Sequence, residues 1–347
     1  MNQIINKIFD NKSKPILIAE ISANHNGSLK KAKKLIQIAK KNGADIVKLQ
    51  TYEPHNMTIN SSKKDFIINS GIWKNYKLWD LYKKAQTPLR WQKELFEFAK
   101  KIKIPCFSTP YDDEGVELLK RLNCPMYKIS SFEMKDLSLV RKICSIGKPV
   151  IISTGLANLK EIKKTYQIAK KAKCKKLALL YCVSVYPASI EHFNLNNIQI
   201  LKKEFRCPIG FSDHSKDNAI AMLAISQGAK IIEKHIALKN QKKGLDIEFS
   251  IKGDEIKKFK DDMIKAWNVL GKKKFFRHKD EYKNKKFQRS IYAVKKIEKG
   301  EKFTPSNIKR IRPGYSLSAD KWNLMLGKKS SKKYLVGSRL SKNELKK

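Results

Sequence analysis

Short apolar runs alternate with longer stretches of helical periodicity along residues 1–270. In the first helical stretch, Leu35, Ile38 and Ala39 recur three and four positions apart, as on one face of a helix. Eight of the apolar runs are rich in strand-forming residues: 16–22, 45–51, 105–110, 126–131, 149–155, 177–184, 208–215 and 231–238. Strand–helix alternation repeated eight times within about 220 residues predicts an α/β fold, a closed (β/α)8 TIM barrel. An open doubly wound sheet is the alternative, but it would usually offer a G-x-G-x-x-G turn, which this sequence lacks after its first strand.

The pattern changes after the last barrel helix, which is expected near residues 253–270. A Lys-rich segment at 271–284 predicts a linker, and 285–347 predicts a small, separate β-rich domain. Within the barrel, a long insertion at 52–90 contains Trp73, Tyr76, Trp79 and Tyr82. Long insertions after barrel strands commonly form lids or substrate walls, although a packed decoration is the equally weighted alternative.

Polar residues cluster at the predicted carboxyl ends of the strands, where barrel enzymes place their catalytic groups. His214 and His235 end adjacent strands, so their rings can converge on one divalent metal and leave positions open for water and substrate. Each His taken alone is more often structural. Lys48 and Lys128 point to a bound anion, with Glu20, Glu133 or Glu233 as alternative partners. The Ser153-Thr154-Gly155 turn before a helix is a weak phosphate-binding signal.

The amino-acid composition says less about function than the extreme net charge suggests. The formal net charge is +43, yet only nine of the 75 basic residues are Arg, and the Lys residues are spread over every predicted helix. This dispersion favours a solvated Lys-rich surface, with a field that attracts an anionic substrate as the functional alternative. Nonspecific RNA or anionic-membrane binding is a third alternative. No nucleic-acid-binding module is recognisable, so no specific nucleic acid partner is expected.

The cysteines and the apolar runs indicate the compartment. Six cysteines are scattered without a C-x-x-C pair, as expected of buried thiols in a reducing compartment. No apolar run approaches the roughly 18 residues of a membrane helix, and the first residues do not resemble a secretory signal. We therefore expect a cytoplasmic protein with no membrane partner.

Seven motifs occur in order along the chain, and together they resemble the sialic acid synthase family. They are IAEISANHNGS, GADIVKLQTY, FSTPYD, YKISSFE, KPVIISTG, GFSDHS and IEKHI. The tail QRSIYAVKKIEKGEKFTPSNIKRIRPG resembles that family's antifreeze-like (SAF) domain. Within the family, YKLWDLYKKAQTPLRW and SSFEMKDLSLV look most like the branch that makes pseudaminic acid. Enzymes that make N-acetylneuraminate or legionaminic acid are the alternative.

The resemblance implies condensation of phosphoenolpyruvate with an open-chain amino sugar, which gives a nonulosonic acid and phosphate. It implies a divalent metal, Mn2+ or else Mg2+ or Co2+, held by His214 and His235. It implies Glu20 for proton handling at the sugar hydroxyl and Glu133 for activating water. The residues implied in substrate binding are Lys48, Gln50, Lys128, Ser153, Thr154, Gly155, Ser184, Tyr186, Asp246 and Arg312. In the family the SAF domain reaches the partner's barrel in a swapped homodimer, where Arg312 would contact the N-acyl group.

Two segments depart from the family pattern. Residues 215–218 lack the Gly that commonly follows the last His of GFSDHS, and 287–290 read F-Q-R-S in place of F-R-R-S. Two other function classes remain open beside the synthase. One is an aldolase that forms a Schiff base on Lys48 or Lys128. The other is a non-enzymatic binding protein that acts through its basic surface.

Overall fold

The chain folds into two compact units in a computed structural model, Met1–Gly271 and Lys272–Lys347. The structure describes residues 2–10, 12–272 and 274–346. Met1, Asn11, Lys273 and Lys347, which fall within the predicted domains and linker, lie outside the described residues. Across the described ranges, no helix is long and apolar enough to cross a membrane.

The first unit is a closed parallel barrel, which confirms the predicted fold class. Each strand pairs with the next along the chain, and β1 also pairs with β8, so the sheet has no open edge. The strands are β1 Ile16–Glu20, β2 Ile46–Thr51, β3 Cys106–Pro110, β4 Tyr127–Ile129, β5 Val150–Ser153, β6 Leu177–Cys182, β7 Ile209–Asp213 and β8 Ile231–Ala237. Each lies within one of the eight apolar runs. A short strand, β9 Ile251–Lys252, pairs with β8.

Helices surround the barrel and follow its strands. They are α1 Asn2–Ile8, α2 Leu29–Lys41, α3 Pro54–Met57, α4 Leu78–Ala85, α5 Leu89–Lys101, α6 Asp113–Arg121, α7 Leu137–Ser145, α8 Leu159–Lys171, α9 Asn196–Glu204, α10 Asn218–Ser226 and α11 Glu255–Leu270. Several start where a polar side chain accepts a hydrogen bond from the first turn. Asn158 does so for α8, with Glu161 completing a capping box. Gly43 adopts a φ of +85° just beyond α2, a left-handed conformation that glycine favours where a helix ends.

The strands are buried, and one glycine shows how tightly they pack. A Cβ on Gly210 of β7 would lie 2.6 Å from the carbonyl oxygen of Ile231 and 2.5 Å from Leu180. The neighbouring backbone therefore leaves room only for hydrogen at this position. All six cysteines are free thiols, and five of them are buried, as the sequence predicts.

The second unit has its own sheet and its own core. Strand β10 Ser290–Ala293 lies between β11 Ile308–Ile311 and β12 Leu317–Ser318, and both pairings are antiparallel. A short helix, α12 Trp322–Met325, follows. The core of this unit comprises Ile291, Ala293, Ile297, Phe303, Ile308, Leu317, Met325, Tyr334 and Leu340. A small β-rich fold with a separate core is what the change in pattern predicts.

Candidate active site

A cavity of about 360 Å³ is lined by the carboxyl ends of the barrel strands and by the loops that follow them. Of the sequence-predicted residues, the cavity is lined by Lys48, Gln50, Lys128, Glu133, Ser153, Tyr186, His214, His235 and Asp246. The residues of the insertion that line it are Tyr52, Met57, Ile68, Trp73, Leu78, Leu81, Tyr82 and Ala85. The insertion is therefore a wall of the cavity, the first of the two alternatives that its length suggests.

Four buried charges meet at the floor of the cavity. The Lys48 ammonium pairs with Glu20 and lies 3.3 Å from Glu233 Oε1, while Lys128 Nζ lies 3.7 Å from that same oxygen. All four side chains are at most 5% exposed. Two of the three carboxylates that the sequence offered as alternatives to a bound anion, Glu20 and Glu233, thus pair with the lysines. Both lysines nevertheless line the cavity.

Burial and pairing act in opposite directions on these groups. Burial alone would lower the pKa of Lys48, but Glu20 and Glu233 outweigh it and hold that pKa above its usual value. The same two effects leave the pKa of Glu233 low, because Lys128 and Lys48 outweigh its burial. For Glu20, burial outweighs Lys48 and raises the pKa. For Lys128, burial dominates and lowers the pKa.

The rings of His214 and His235 face each other with centroids 5.4 Å apart, and Phe249 lies against both. Nδ1 of His214 is 3.1 Å from the carbonyl oxygen of Val183, a partner that leaves Nε2 available. Nδ1 of His235 is buried and has no hydrogen-bond partner among the described residues; the Asp246 carboxylate lies beside it, with Oδ2 at 3.8 Å. Two imidazoles with one free nitrogen each can serve as metal ligands.

The two His residues are the candidate protein ligands at this point of the barrel. Within residues 2–10, 12–272 and 274–346, no group of three or more His, Cys, Asp and Glu side chains is arranged to hold a metal. Two protein ligands leave several coordination positions for water and substrate, as a catalytic metal requires.

Behind the two His residues lies a buried ion pair. Lys234 Nζ is 2.9 Å from Asp213 Oδ2 and donates a hydrogen bond of 2.6 Å to the carbonyl of Ser215. Successive side chains on a strand point to opposite faces, so these neighbours of His214 and His235 turn away from the cavity. The pair joins the end of β7, which His214 directly follows, to β8, which carries His235.

Tyr186, Gln50 and Asp246 stand along the sides of the cavity. The ring of Tyr186 lies 4.5 Å from that of His214. The Gln50 side-chain amide donates to the Ser22 hydroxyl at 3.0 Å. Asp246 is buried, and burial raises its pKa even though the Ser22 hydroxyl and the Ala23 N–H donate to it. Polar groups from three separate parts of the chain thus face the same space.

The Ser-Thr-Gly turn divides between two faces. Ser153 faces the cavity with a buried hydroxyl that has no partner among the described residues. The Thr154 hydroxyl instead donates to the carbonyl of Leu180, and Thr154 does not line the cavity. A Cβ on Gly155 would lie 2.1 Å from the Ser184 hydroxyl and 2.8 Å from that of Ser131. Only a glycine lets this backbone approach the two hydroxyls.

Glu133 and Arg312 lie at the margins of the predicted set. Glu133 lines the cavity, and burial raises the pKa of its carboxyl to about 7. Arg312 belongs to the second unit, where it is exposed just beyond β11. Glu20 contacts Lys48 from behind and does not itself line the cavity.

Several cavity residues were not among the predicted substrate, catalytic or metal residues. Glu233 was named only as an alternative partner of the lysines, although it lies two positions before His235 and period 2 places it on the same face. Trp73 was noted only as part of the insertion. Ser131 lies in the run 126–131 but was not selected, and Phe249 carries no local signal.

Comparisons with known proteins identify the class. The NeuB family model matches residues 35–275, and a SAF domain matches residues 288–343. The chain belongs to the NeuB family, which confirms the resemblance seen in the motifs. It is 43% identical to a pseudaminic acid synthase of Campylobacter jejuni, over 97% of this chain and 98% of that one.

Two further relatives extend the comparison. The chain is 36% identical to an N,N'-diacetyllegionaminic acid synthase of Campylobacter jejuni, over 92% of this chain and 97% of that one. Its fold matches a crystal structure of an N-acetylneuraminic acid synthetase from Leptospira borgpetersenii with a TM-score of 0.70 at 31% identity. That match covers 78% of this chain and 90% of the other.

The pair behind the imidazoles should matter for stability. We expect Lys234→Met to lower the free energy of unfolding by about 3–5 kcal/mol, because it leaves the Asp213 carboxylate buried and unpaired. Denaturant unfolding followed by tryptophan fluorescence would measure this, since four of the five tryptophans lie in the first unit. Lys239→Met is the matched control. It removes an ion pair to Asp254 that is about 70% exposed, and its effect on stability should be far smaller, because exposed ion pairs contribute little. Equal losses in both variants would contradict the expectation.

Proposed function

We propose that this chain is a pseudaminic acid synthase. It would join phosphoenolpyruvate to 2,4-diacetamido-2,4,6-trideoxy-altrose and release phosphate. The observation that carries the proposal is the convergence of Lys48, Lys128, His214 and His235 on one cavity at the barrel mouth. The full-length similarity to a pseudaminic acid synthase selects this sugar. N,N'-diacetyllegionaminic acid synthesis is the second candidate, supported by the lower identity to that enzyme.

A divalent metal, Mn2+ in the first instance and Mg2+ or Co2+ as alternatives, fits the two imidazoles. Support comes from the unpartnered Nδ1 of His235 and from the Val183 carbonyl that orients His214. The Asp246 carboxylate, with Oδ2 3.8 Å from Nδ1 of His235, would add negative charge beside the ion. When bound, the ion would polarise the sugar aldehyde and stabilise negative charge on its oxygen.

The floor of the cavity would hold phosphoenolpyruvate. Lys48 and Lys128 would bind its phosphate and carboxylate, which are the anions that two buried ammonium groups attract. The free hydroxyl of Ser153 and the small Gly155, beside Ser184, would admit the phosphate oxygens. Thr154 would act only through the backbone of the turn, because its hydroxyl is engaged with Leu180.

The sides of the cavity would hold the sugar and move protons. Gln50, Tyr186 and Asp246 would contact its hydroxyl and amide groups. Carbon–carbon bond formation leaves the phosphate-bearing carbon electron-poor, and water adds there while Glu133 takes one of its protons. The bond from that carbon to the phosphate oxygen then breaks, the new hydroxyl gives its proton to the departing phosphate, and the carbon becomes the keto group. The sugar alkoxide formed from the aldehyde would take a proton from the Lys48 ammonium, and Glu20, paired with Lys48 behind the cavity, would return a proton to that lysine.

A second copy of the chain would complete the site. Arg312, exposed in the second unit, would contact the sugar's N-acyl group in the partner's barrel of a swapped homodimer. Its planar guanidinium suits a carbonyl oxygen.

The reaction itself is tested by phosphate release. We expect phosphate from phosphoenolpyruvate in the presence of 2,4-diacetamido-2,4,6-trideoxy-altrose, with a product whose mass equals the sugar plus the pyruvate unit. N-acetylmannosamine should support a much lower kcat/KM, because it lacks the 4-acetamido group. No release with either sugar and with metal supplied would refute the synthase.

Metal removal tests the imidazole pair. We expect EDTA to abolish turnover and Mn2+ to restore it. His214→Ala and His235→Ala should each lose Mn2+ binding by isothermal titration, a readout independent of turnover. The exposed His192, changed to Ala, is the control and should bind Mn2+ normally. Full activity after complete metal removal would contradict the site, and a borohydride-trapped pyruvate adduct would favour the Schiff-base aldolase.

The pH profile tests Glu133. A base accepts a proton only when ionised, and this carboxyl ionises near pH 7, so kcat/KM should rise with pH through about 7. Glu133→Gln should lower kcat/KM by roughly 100-fold or more and remove that limb. The exposed Glu97→Gln should keep the profile of the unchanged protein. If kcat/KM of Glu133→Gln still rose with pH through about 7, that rise would belong to another group.

A further inference from the structure

One side of the cavity is mainly apolar, and it comes from a single segment. The insertion at 52–90 lines the cavity with Met57, Ile68, Trp73, Leu78, Leu81 and Ala85, together with Tyr52 and Tyr82. The Tyr52 hydroxyl is already engaged, because it donates to the carbonyl of Tyr82. The insertion also contains six lysines, and in this fully described segment none of them lines the cavity. In a chain with a net charge of +43, most surfaces carry lysines, so a cavity wall to which no lysine contributes stands out from the rest of the chain.

The apolar face is fixed relative to the two imidazoles. Trp73 Nε1 donates a hydrogen bond of 3.0 Å to the carbonyl of Leu245, next to Asp246. The ring of Trp73 lies 5.4 Å from that of Tyr186, which in turn lies 4.5 Å from that of His214. The apolar face therefore begins one aromatic ring beyond the place proposed for the sugar aldehyde.

A six-carbon sugar held by its aldehyde at the imidazoles must extend its other end away from them. The charged groups occupy the floor of the cavity, so the far end meets the insertion. A hydroxymethyl group that packs against Met57, Ile68 and Leu78 would lose water without gaining a hydrogen bond from these side chains, whereas a methyl group would lose nothing.

We propose that the apolar face of residues 57–85 is a specificity-determining surface that binds the methyl end of a 6-deoxy amino sugar. The inference rests on the proposed function and adds to it the residues that select the sugar. An apolar pocket rejects an added hydroxyl by at most about 100-fold, so this is the ceiling of the expected preference.

The test compares two sugars that differ only at carbon 6. They are 2,4-diacetamido-2,4,6-trideoxy-altrose and its counterpart with a 6-hydroxyl. We expect the unchanged protein to show a roughly 10- to 100-fold higher kcat/KM for the 6-deoxy sugar. Ile68→Thr, which places a hydroxyl in a side chain that is likewise branched at Cβ, should reduce this preference at least about threefold. Met57→Gln should act in the same direction.

Ile67→Thr is the matched control. Ile67 is the adjacent residue, is 38% exposed and does not line the cavity. It should keep the full preference. Equal kcat/KM for the two sugars in the unchanged protein would overturn the inference and leave the synthase standing. An unaltered preference in folded Ile68→Thr and Met57→Gln, or an equal reduction in Ile67→Thr, would also overturn it. No phosphate release with either sugar would overturn the proposed function, and the inference with it.

Discussion

The pairing of buried charges at the barrel mouth is the constraint on which the site depends. An isolated ion in a protein interior is too costly to keep, so Lys48 and Lys128 can remain charged only because Glu20 and Glu233 accompany them. Barrel closure brings these partners together, since Glu20 ends β1 and β1 pairs with both β2 and β8. The fold therefore determines the electrostatics of the site, because the strand order that closes the sheet also places the carboxylates beside the lysines.

Strand alternation explains how two ion-pair systems coexist at this end. Ser212 of β7, His214 directly after it, and Glu233 and His235 of β8 line the cavity, and the residues between them point away from it. Asp213 and Lys234 therefore meet behind the wall and join the strands. Charged residues occupy both faces here, and each set is satisfied on its own side.

The sequence predicted the fold well, because eight apolar runs at regular spacing are a local signal. It also predicted nine cavity residues. Lys48, Lys128, His214 and His235 followed from the convergence of strand ends in any barrel, whereas Asp246 was implied only by the family resemblance. Alternation could have shown that Ser153 and Thr154 face opposite ways, yet both were predicted to bind substrate. Phe249, Ser131 and the raised pKa of Glu133 were beyond reach, because each depends on contacts made by residues distant in sequence.

The insertion between β2 and α5 lies outside the hydrogen-bonded ring of strands, and it interrupts neither their order nor their register. The apolar face of the cavity and its charged floor are consequently formed by separate parts of the chain. Substitutions at 57–85 can change the shape of the apolar face, while the charged floor and the two imidazoles remain as they are. In a scaffold divided in this way, the sugar specificity can change when one segment is exchanged, while the residues that carry out the reaction stay the same.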